Sequence, residues 1–445
     1  MKYSCRLFIY LYLGYLLASC ATRPGVRSKE LQDLVVDSPV FQRSFTGFAL
    51  YDTDIDEMVY EYQSDKYFTP ASNTKVFTLY AGLKLLGDSI PALNYQIKND
   101  TLVFTGTGDP TFLHPDLSSI DTTYENRVYN FLQENSSTLI YSERPTTDDY
   151  FGPGWAWGDY NYYYSSEKST FPIYANVVRF QFQENQKKPL TYPAYFNSFV
   201  QGFPDTTQRS YLLRDQHQNS FSYGLKPDSL AFTRDVPFIQ SSPLLLDLLQ
   251  DTLKRRVNHE LAYSGTLTKT VYSLPVDSVY QRMMQRSDNF IAEQLLLVCS
   301  STFQDTLSSD TVISLVTKEY LADLPDKPVW VDGSGLSRYN LQTPRALVAL
   351  LRKVDEELSD ERIKMIFPAG GVSGTIEKWY ANPTGDPYVF AKTGTLSNKH
   401  ALSGYLFTKS GKKLIFSFMH NNYVTSSSVL KVEMEMILKK LYEEY

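Results

Sequence analysis

Three short motifs carry residue types that cooperate in serine chemistry. Ser72-Asn73-Thr74-Lys75 sets a hydroxyl and an amine three positions apart, on one face of a helix. A serine hydroxyl is a weak nucleophile and needs a neighbouring base. A lysine serves as that base only when burial or a second cation lowers its pKa. Free N–H groups at a helix start near Ser72 could also stabilise an oxyanion. Ser287-Asp288-Asn289 offers a hydroxyl to pass a proton between Lys75 and a leaving amine, and an amide to bind a substrate carbonyl and Lys75. Lys392-Thr393-Gly394-Thr395 offers a cation and a hydroxyl for a carboxylate, and Gly394 clears space for a substrate backbone against a strand edge. Taken alone, the first motif reads equally as a surface helix start, and the second as a helix cap or turn.

The surrounding pattern predicts elements that position these motifs. Residues 45–51 and 57–62 read as a β-hairpin around Asp52-Thr53-Asp54-Ile55-Asp56. A helix is expected from near Ala71, with Val76, Leu79, Leu83 and Leu86 on one face and Gly87 ending it. Helical patterning returns near Pro243 and continues through 279–298 and 344–354. Strands are predicted at 388–391, 402–408 and 413–419, and Leu430, Met434, Ile437 and Leu441 mark a final amphipathic helix. Between 91 and 238, Tyr, Pro, Asn, Asp and Thr are frequent and the apolar runs are short, as at 101–104 and 177–182. The expected organisation is an α+β catalytic domain formed by 39–90 and 239–445, with a mainly β insertion at 91–238.

The N-terminus differs in kind. Lys2 and Arg6 precede an apolar run over 7–18 that is too short to span a membrane comfortably and has the shape of a signal peptide. It ends in Leu17-Ala18-Ser19-Cys20, which is similar to a bacterial lipobox, the alternative being an ordinary signal peptide with a chance cysteine. The expectation is a signal peptide over 1–19, lipidation of Cys20, a flexible tether over 20–38, and an outer-membrane lipoprotein facing the periplasm. Cys5, Cys20 and Cys299 are the three cysteines, so the mature chain has none to spare for a disulfide, and Cys299, after an apolar helical run, reads as core.

Composition excludes other classes. The net charge of −6 comes without a Lys/Arg block, so nucleic-acid binding has no electrostatic case. His114, His217, His259, His400 and His420 are not at metal-ligand spacing, and no metal or other cofactor is expected. His400 is either structural or at the rim of a site near Lys392. Tyr160-Asn161-Tyr162-Tyr163-Tyr164 either packs or stacks on a glycan. Asp332 to Ser337 either lines a site or is a glycine-rich turn.

Taken together and in this order, the three motifs resemble the signature set of penicillin-binding proteins and class A β-lactamases. With 215 positions from Ser72 to Ser287 and 105 from Ser287 to Lys392, the chain resembles the D-alanyl-D-alanine carboxypeptidases of the S13 peptidase family. Pro70-Ala71-Ser72, Gly106-Thr107-Gly108-Asp109-Pro110-Thr111, Gly152-Pro153-Gly154-Trp155, Asp332-Gly333-Ser334-Gly335-Leu336-Ser337-Arg338, Pro368-Ala369-Gly370-Gly371 and Leu402-Ser403-Gly404-Tyr405 add to the likeness. It covers nearly all of the mature chain and is loose over about 111–261. Ser373 stands where members often carry an acidic residue.

The resemblance implies a penicillin-binding transpeptidase-type domain, an antiparallel sheet flanked by helices. It also implies an acyl-enzyme on Ser72 formed at the terminal D-Ala-D-Ala of a peptidoglycan stem peptide. Lys75 would take the proton, Ser287 relay it and Asn289 orient the substrate amide. Lys392 and Thr393 would hold the terminal carboxylate, and the backbone N–H groups of Ser72 and Thr395 the oxyanion. Implied partners are peptidoglycan and, as inhibitors, β-lactams. Endopeptidase action on cross-links is a further expectation. The alternatives are a β-lactamase or esterase on the same fold, and a non-catalytic cell-wall-binding lipoprotein.

Overall fold

The computed structural model describes residues 28–117, 127–184, 188–203, 210–225 and 231–445. Cys20 and the signal peptide expected before it lie outside the described residues. The first element is a helix, α1 (Ser28–Val36), where a flexible tether was expected. Leu31 and Val35, one turn apart, are buried in the same apolar cluster as the C-terminal helix, and Glu30 pairs with Lys440 at 2.8 Å.

The hairpin forms as predicted, from β1 (Phe45–Asp52) and β2 (Glu57–Tyr62). A 3-10 turn, Ala71–Thr74, then leads into α2 (Lys75–Leu85). This helix is buried almost all round: every residue from Lys75 to Gly82 is buried. A buried lysine at its first turn is therefore surrounded by core, not by water.

The inserted region begins with β3 (Ser89–Lys98) and β4 (Thr101–Gly106), then α3 (Arg127–Glu134) and β5 (Thr138–Ser142). Next come β6 (Val177–Phe182), β7 (Leu190–Tyr192), β8 (Val200–Gly202), β9 (Tyr211–Arg214), β10 (Phe221–Gly224) and β11 (Phe232–Pro237). Then follow α4 (Ser242–Leu253), β12 (Val257–Glu260) and β13 (Lys269–Pro275). One five-stranded sheet has the order β12-β5-β4-β3-β13, and two three-stranded sheets, β8-β10-β9 and β11-β6-β7, stand beside it. Leu245, Leu248, Leu249 and Leu253 of α4 bury into the cluster that holds Leu93, Phe104, Leu139 and Phe180, so α4 packs with the strands before it.

The chain then returns to the first body through α5 (Val276–Gln285), α6 (Asn289–Ser301), α7 (Ser309–Glu319), α8 (Pro344–Glu357) and α9 (Asp360–Ile366). The helical pattern over 279–298 is not one helix. It breaks at Arg286-Ser287-Asp288, where Ser287 has φ +57° and the Asp288 carboxylate caps α6 by accepting from the Ile291 N–H. The apolar rhythm runs through the break because both helices bury against one core, with Met283 and Met284 on one side and Ile291 and Leu295 on the other.

Three strands and a helix finish the chain: β14 (Val389–Leu396), β15 (Lys399–Phe407), β16 (Lys413–Asn421) and α10 (Ser427–Glu444). With the hairpin they make an antiparallel sheet of order β14-β15-β16-β1-β2. Alternate residues of β16 enter two cores. Ile415 and Met419 join the cluster of α2 and α5 to α9, while Leu414, Phe416 and Phe418 join that of α1 and α10. The sheet is therefore covered on both faces, which explains its nearly unbroken apolar strands. Leu430, Met434, Ile437 and Leu441 face it as the spacing predicted.

Leu248→Ala should lower the unfolding free energy by about 2–5 kcal/mol in a denaturant titration, the usual range for truncating a buried leucine. A change near zero would contradict the placement of α4 in the core of the insert.

Candidate active site

Ser72 stands in the 3-10 turn before α2, after Ala71 in a left-handed conformation at φ +48°. Ser72 is part-exposed, whereas Lys75 is fully buried. The Lys75 Nζ makes three contacts: Ser72 Oγ at 3.1 Å, Asn289 Oδ1 at 2.7 Å and the Ser334 carbonyl at 2.7 Å. None of these acceptors is a carboxylate. Burial lowers the Lys75 pKa to about 8, against the opposing pull of Glu293, Asp332 and Asp288. Of the two causes considered from sequence, burial is the operative one.

Lys392 is buried as well. Its Nζ donates to Ser287 Oγ at 2.9 Å and to the Thr393 carbonyl at 2.7 Å. Burial, and then the charge of Lys75, drive its pKa well below the usual value. Two amines thus share one dry region, and the acids lie on the Lys75 side. Asn289 also donates from Nδ2 to the Tyr164 carbonyl at 2.9 Å, tying the second motif to the insert.

β14 ends the sheet order, which leaves its outer edge to other partners. At its start the turn after α9 takes that edge, with Gly370 N–H donating to Val389 O and Ala391 N–H to Pro368 O. Beyond it, Thr393 Oγ1 donates to Thr375 Oγ1 at 2.7 Å. Gly394 meets a packing constraint of its own. A Cβ there would stand 2.2 Å from the Pro70 carbonyl and 2.9 Å from Asn73 Nδ2, so glycine lets the Ser72 turn press onto β14. Asn73 Nδ2 donates to the Lys392 carbonyl at 3.1 Å and holds that contact. A cavity of about 740 Å³ is lined by Ser72, Ser287, Asn289, Thr393 and Thr395, with Tyr163 and Tyr164 in its wall. All three motifs therefore meet at one opening.

The loop Asp332–Ser337 is organised by carboxylates whose roles the motifs do not reveal. Asp332, 2 % exposed, accepts from Gly335 N, Ser337 N, Asn340 Nδ2 and Trp155 Nε1 at 2.6–2.9 Å. Glu293, 1 % exposed, accepts from Gly333 N and Ser334 N. Burial and the neighbouring Asp332 raise the Glu293 pKa, and Lys168 opposes them. Together the two acids fix the Ser334 carbonyl that Lys75 contacts. Gly335, at φ +80°, brings this loop against the Ser72 turn: a Cβ there would stand 1.9 Å from the Ala71 carbonyl. The one available signal for Glu293 was its position, a lone acid within a helix whose residues from Phe290 to Ser300 are all buried.

The remaining candidates are placed as follows. His400 is buried beneath the site, its Nδ1 3.0 Å from Thr395 Oγ1, and does not form a rim. Ser373 Oγ accepts from the Ala369 N–H within its turn and donates to Gln285 Oε1 at the end of α5, tying the turn to that helix. Cys299 is fully buried, and burial raises its thiol pKa.

Asp332→Asn sets an amide N–H against donors that needed an acceptor. It should cost about 2–3 kcal/mol of stability in chemical denaturation, given what a hydrogen bond to a buried charge contributes. Unchanged stability would contradict the organising role of this carboxylate.

The family model for the D-Ala-D-Ala carboxypeptidase 3 (S13) family matches residues 27–441. The D-alanyl-D-alanine carboxypeptidase DacB of Haemophilus influenzae is 24% identical over 473 residues, covering 97% of each chain. A D-alanyl-D-alanine carboxypeptidase from Actinomadura sp. (strain R39) is 25% identical over 459 residues, 91% of this chain and 83% of that one. The crystal structure of penicillin binding protein 4 from Haemophilus influenzae aligns with a TM-score of 0.73 at 21% identity, covering 93% of this chain and 99% of its own. A predatory peptidoglycan endopeptidase from Bdellovibrio bacteriovorus aligns at 0.53 with 14% identity, over 89% and 92%. These structural likenesses establish an α+β penicillin-binding fold. Because the family model spans almost the whole sequence, from the first described helix to the last, the chain belongs to the D-Ala-D-Ala carboxypeptidase 3 (S13) family of serine peptidases.

Proposed function

We propose that this protein is a serine-type D-Ala-D-Ala carboxypeptidase acting on peptidoglycan stem peptides through an acyl-enzyme on Ser72. The observation that carries the reading is the Lys75 Nζ, buried away from any carboxylate contact and 3.1 Å from Ser72 Oγ. A lysine in that setting loses its proton near neutrality and can accept another.

The charges arrange themselves in a definite order. Glu293, Asp332 and Asp288 act on Lys75 and favour its charged form against burial, whereas burial and the charge of Lys75 both disfavour the charged form of Lys392. A substrate carboxylate is held at Lys392 and Thr393 by the amine and the hydroxyl. Above its pKa of about 8, Lys75 stands neutral beside the Ser72 hydroxyl. Ser72 Oγ attacks the carbonyl between the two D-alanines, and its proton passes to Lys75. The C–N bond breaks, and Ser287, in contact with Lys392, relays a proton to the departing amine. The backbone N–H groups of Ser72 and Thr395 hold the oxyanion, and Asn289 orients the substrate amide. Water, losing a proton to Lys75, then releases the shortened peptide. A β-lactam presents the same carbonyl and carboxylate and remains on Ser72.

The catalytic body is assigned to the stretch from α1 to α2 together with α5 to α10, and the insert to β3 through β13. The Leu17-Ala18-Ser19-Cys20 sequence supports lipidation of Cys20 and a place in the cell envelope. Loss of palmitate labelling in Cys20→Ala is the expected result, and retained labelling would refute the anchor. No helix among the described residues is long and apolar enough to cross a membrane.

Purified pentapeptide monomers should lose one alanine on digestion, read by mass spectrometry, and intact pentapeptide after exhaustive treatment would overturn the reading. Lys75→Ala should slow penicillin acylation by about 10²–10⁴-fold, the usual contribution of a general base. An unaltered rate would remove Lys75 from that role. The pH profile has a fixed sign. The base works only when neutral and its pKa is about 8. The acylation rate should therefore rise with pH up to about 8 and fall roughly tenfold per unit below it.

A further inference from the structure

The insert carries a cavity that the catalytic reading leaves unused. It measures about 490 Å³, and Phe151, Trp155, Trp157, Tyr160, Glu167 and Arg214 are in its wall. That volume is in the range that small ligands fill. One feature is an aromatic side chain held in solvent. Phe151 meets Trp155 edge-on at 6.2 Å, Tyr162 stacks on Tyr164 at 5.3 Å, and Arg214 covers the Tyr160 ring at 5.1 Å. Trp157 is 79 % exposed and has no such partner among the described residues. An exposed indole alone means little. This one borders a cavity whose buried polar groups have unused capacity.

Arg214 is 3 % exposed and donates from Nη1 to the Asp215 carbonyl at 2.9 Å and from Nη2 to the Tyr160 carbonyl at 3.5 Å. Its buried Nε has no partner among the described residues. Glu167, 5 % exposed, accepts from the Gln240 N–H through Oε2 at 2.7 Å, and its Oε1 accepts from none of them. A buried donor without an acceptor is unfavourable, and a ligand that brings the acceptor removes the penalty. The guanidinium and the carboxylate balance in charge. The cavity therefore suits a neutral ligand with hydroxyl and amide groups and an apolar ring face, which is the chemistry of an amino sugar. An acidic peptide or a phosphate would meet the Glu167 carboxylate.

Its position says where such a sugar comes from. Tyr160 lines this cavity, while Asp159, Tyr163 and Tyr164 line the catalytic one, so one short segment has a cavity on either side. Trp155 Nε1 donates to Asp332, which accepts from the N–H of Gly335 in the catalytic wall. In a pentapeptide stem, four residues separate the glycan from the bond that Ser72 attacks, a span of at most about 14 Å. The glycan of a bound substrate is thus within reach of this segment.

We propose that this cavity binds the N-acetylated glycan strand of peptidoglycan, with a sugar ring stacked on Trp157 and its hydroxyl and acetamido groups bonded to Arg214 and Glu167. The choice of glycan rests on the catalytic reading above. The site makes the protein favour stem peptides that are still attached to their sugars.

Two measurements on the full protein test this. The first is calorimetric titration with peptide-free glycan strands, which needs no catalysis. Wild-type protein should bind them, Trp157→Ala roughly three- to tenfold more weakly, the scale of one aromatic contact, and Trp157→Tyr nearly as well as wild type. The second compares kcat/KM for a disaccharide-pentapeptide and for the sugar-free pentapeptide. Wild-type protein should prefer the first, and Trp157→Ala should reduce that preference by a similar factor. Because Trp157 is exposed, cleavage of the sugar-free peptide and penicillin acylation should change by less than about twofold. A Trp157→Ala variant that binds strands as well as wild type, or loses both substrates alike, would overturn the proposal. Cleavage and acylation without any strand binding would remove the glycan site and leave the catalytic reading standing. Strand binding that depends on Trp157, without cleavage or acylation, would support the site and remove the catalytic reading.

Discussion

Two lysine amines buried in one core, with no carboxylate touching either, are the constraint on which the rest of this structure depends. Taking an ammonium out of water costs several kcal/mol even after relaxation, and a direct ion pair would restore the charge at the expense of basicity. Here the acids are kept one step away. Glu293 and Asp332 spend their hydrogen-bonding capacity on backbone N–H groups of the loop that presents the Ser334 carbonyl to Lys75. Their field keeps Lys75 from falling as far as burial alone would take it, and their geometry fixes its position. Lys392 has no such support, and burial and the charge of Lys75 hold its pKa well below the usual value. The two amines, though neighbours, thus sit in different electrostatic environments.

Holding such a pair requires close backbone approaches. The Ser72 turn is clamped from two sides, by β14 at Gly394 and by the Asp332 loop at Gly335, and neither position has room for a methyl group. The insert supplies the third side. Trp155 donates to Asp332, the Tyr164 carbonyl accepts from Asn289, and the Arg179–Asp116–Arg282 bridge reaches Asp288. The region that separates the first two motifs in sequence thus forms a wall of the site in space. Its loss would expose Asn289 and loosen the loop behind Lys75.

The sequence made much of this legible, for identifiable reasons. The motif residues were recognisable because serine chemistry restricts types and spacing. The outer strands and α10 followed from periodicity, which burial on a sheet or helix face imposes directly. The misses share a different origin. The break at Ser287 leaves the apolar rhythm intact because both helices serve one core, so periodicity could not reveal it. α1 resembled a tether because only Leu31 and Val35 anchor it. α4 packs with the strands before it, a choice its sequence does not announce, because its leucines suit either cluster and only tertiary contacts choose. Glu293 acts through backbone N–H groups forty residues away, a pairing that no local pattern encodes.

The most direct test of the central claim is peptide mapping by mass spectrometry of the full protein after reaction with benzylpenicillin. A buried neutral lysine activating one serine predicts a single adduct, on the peptide that contains Ser72 and at that residue. An adduct on Ser287 or any other side chain, or no covalent adduct at all, would contradict it.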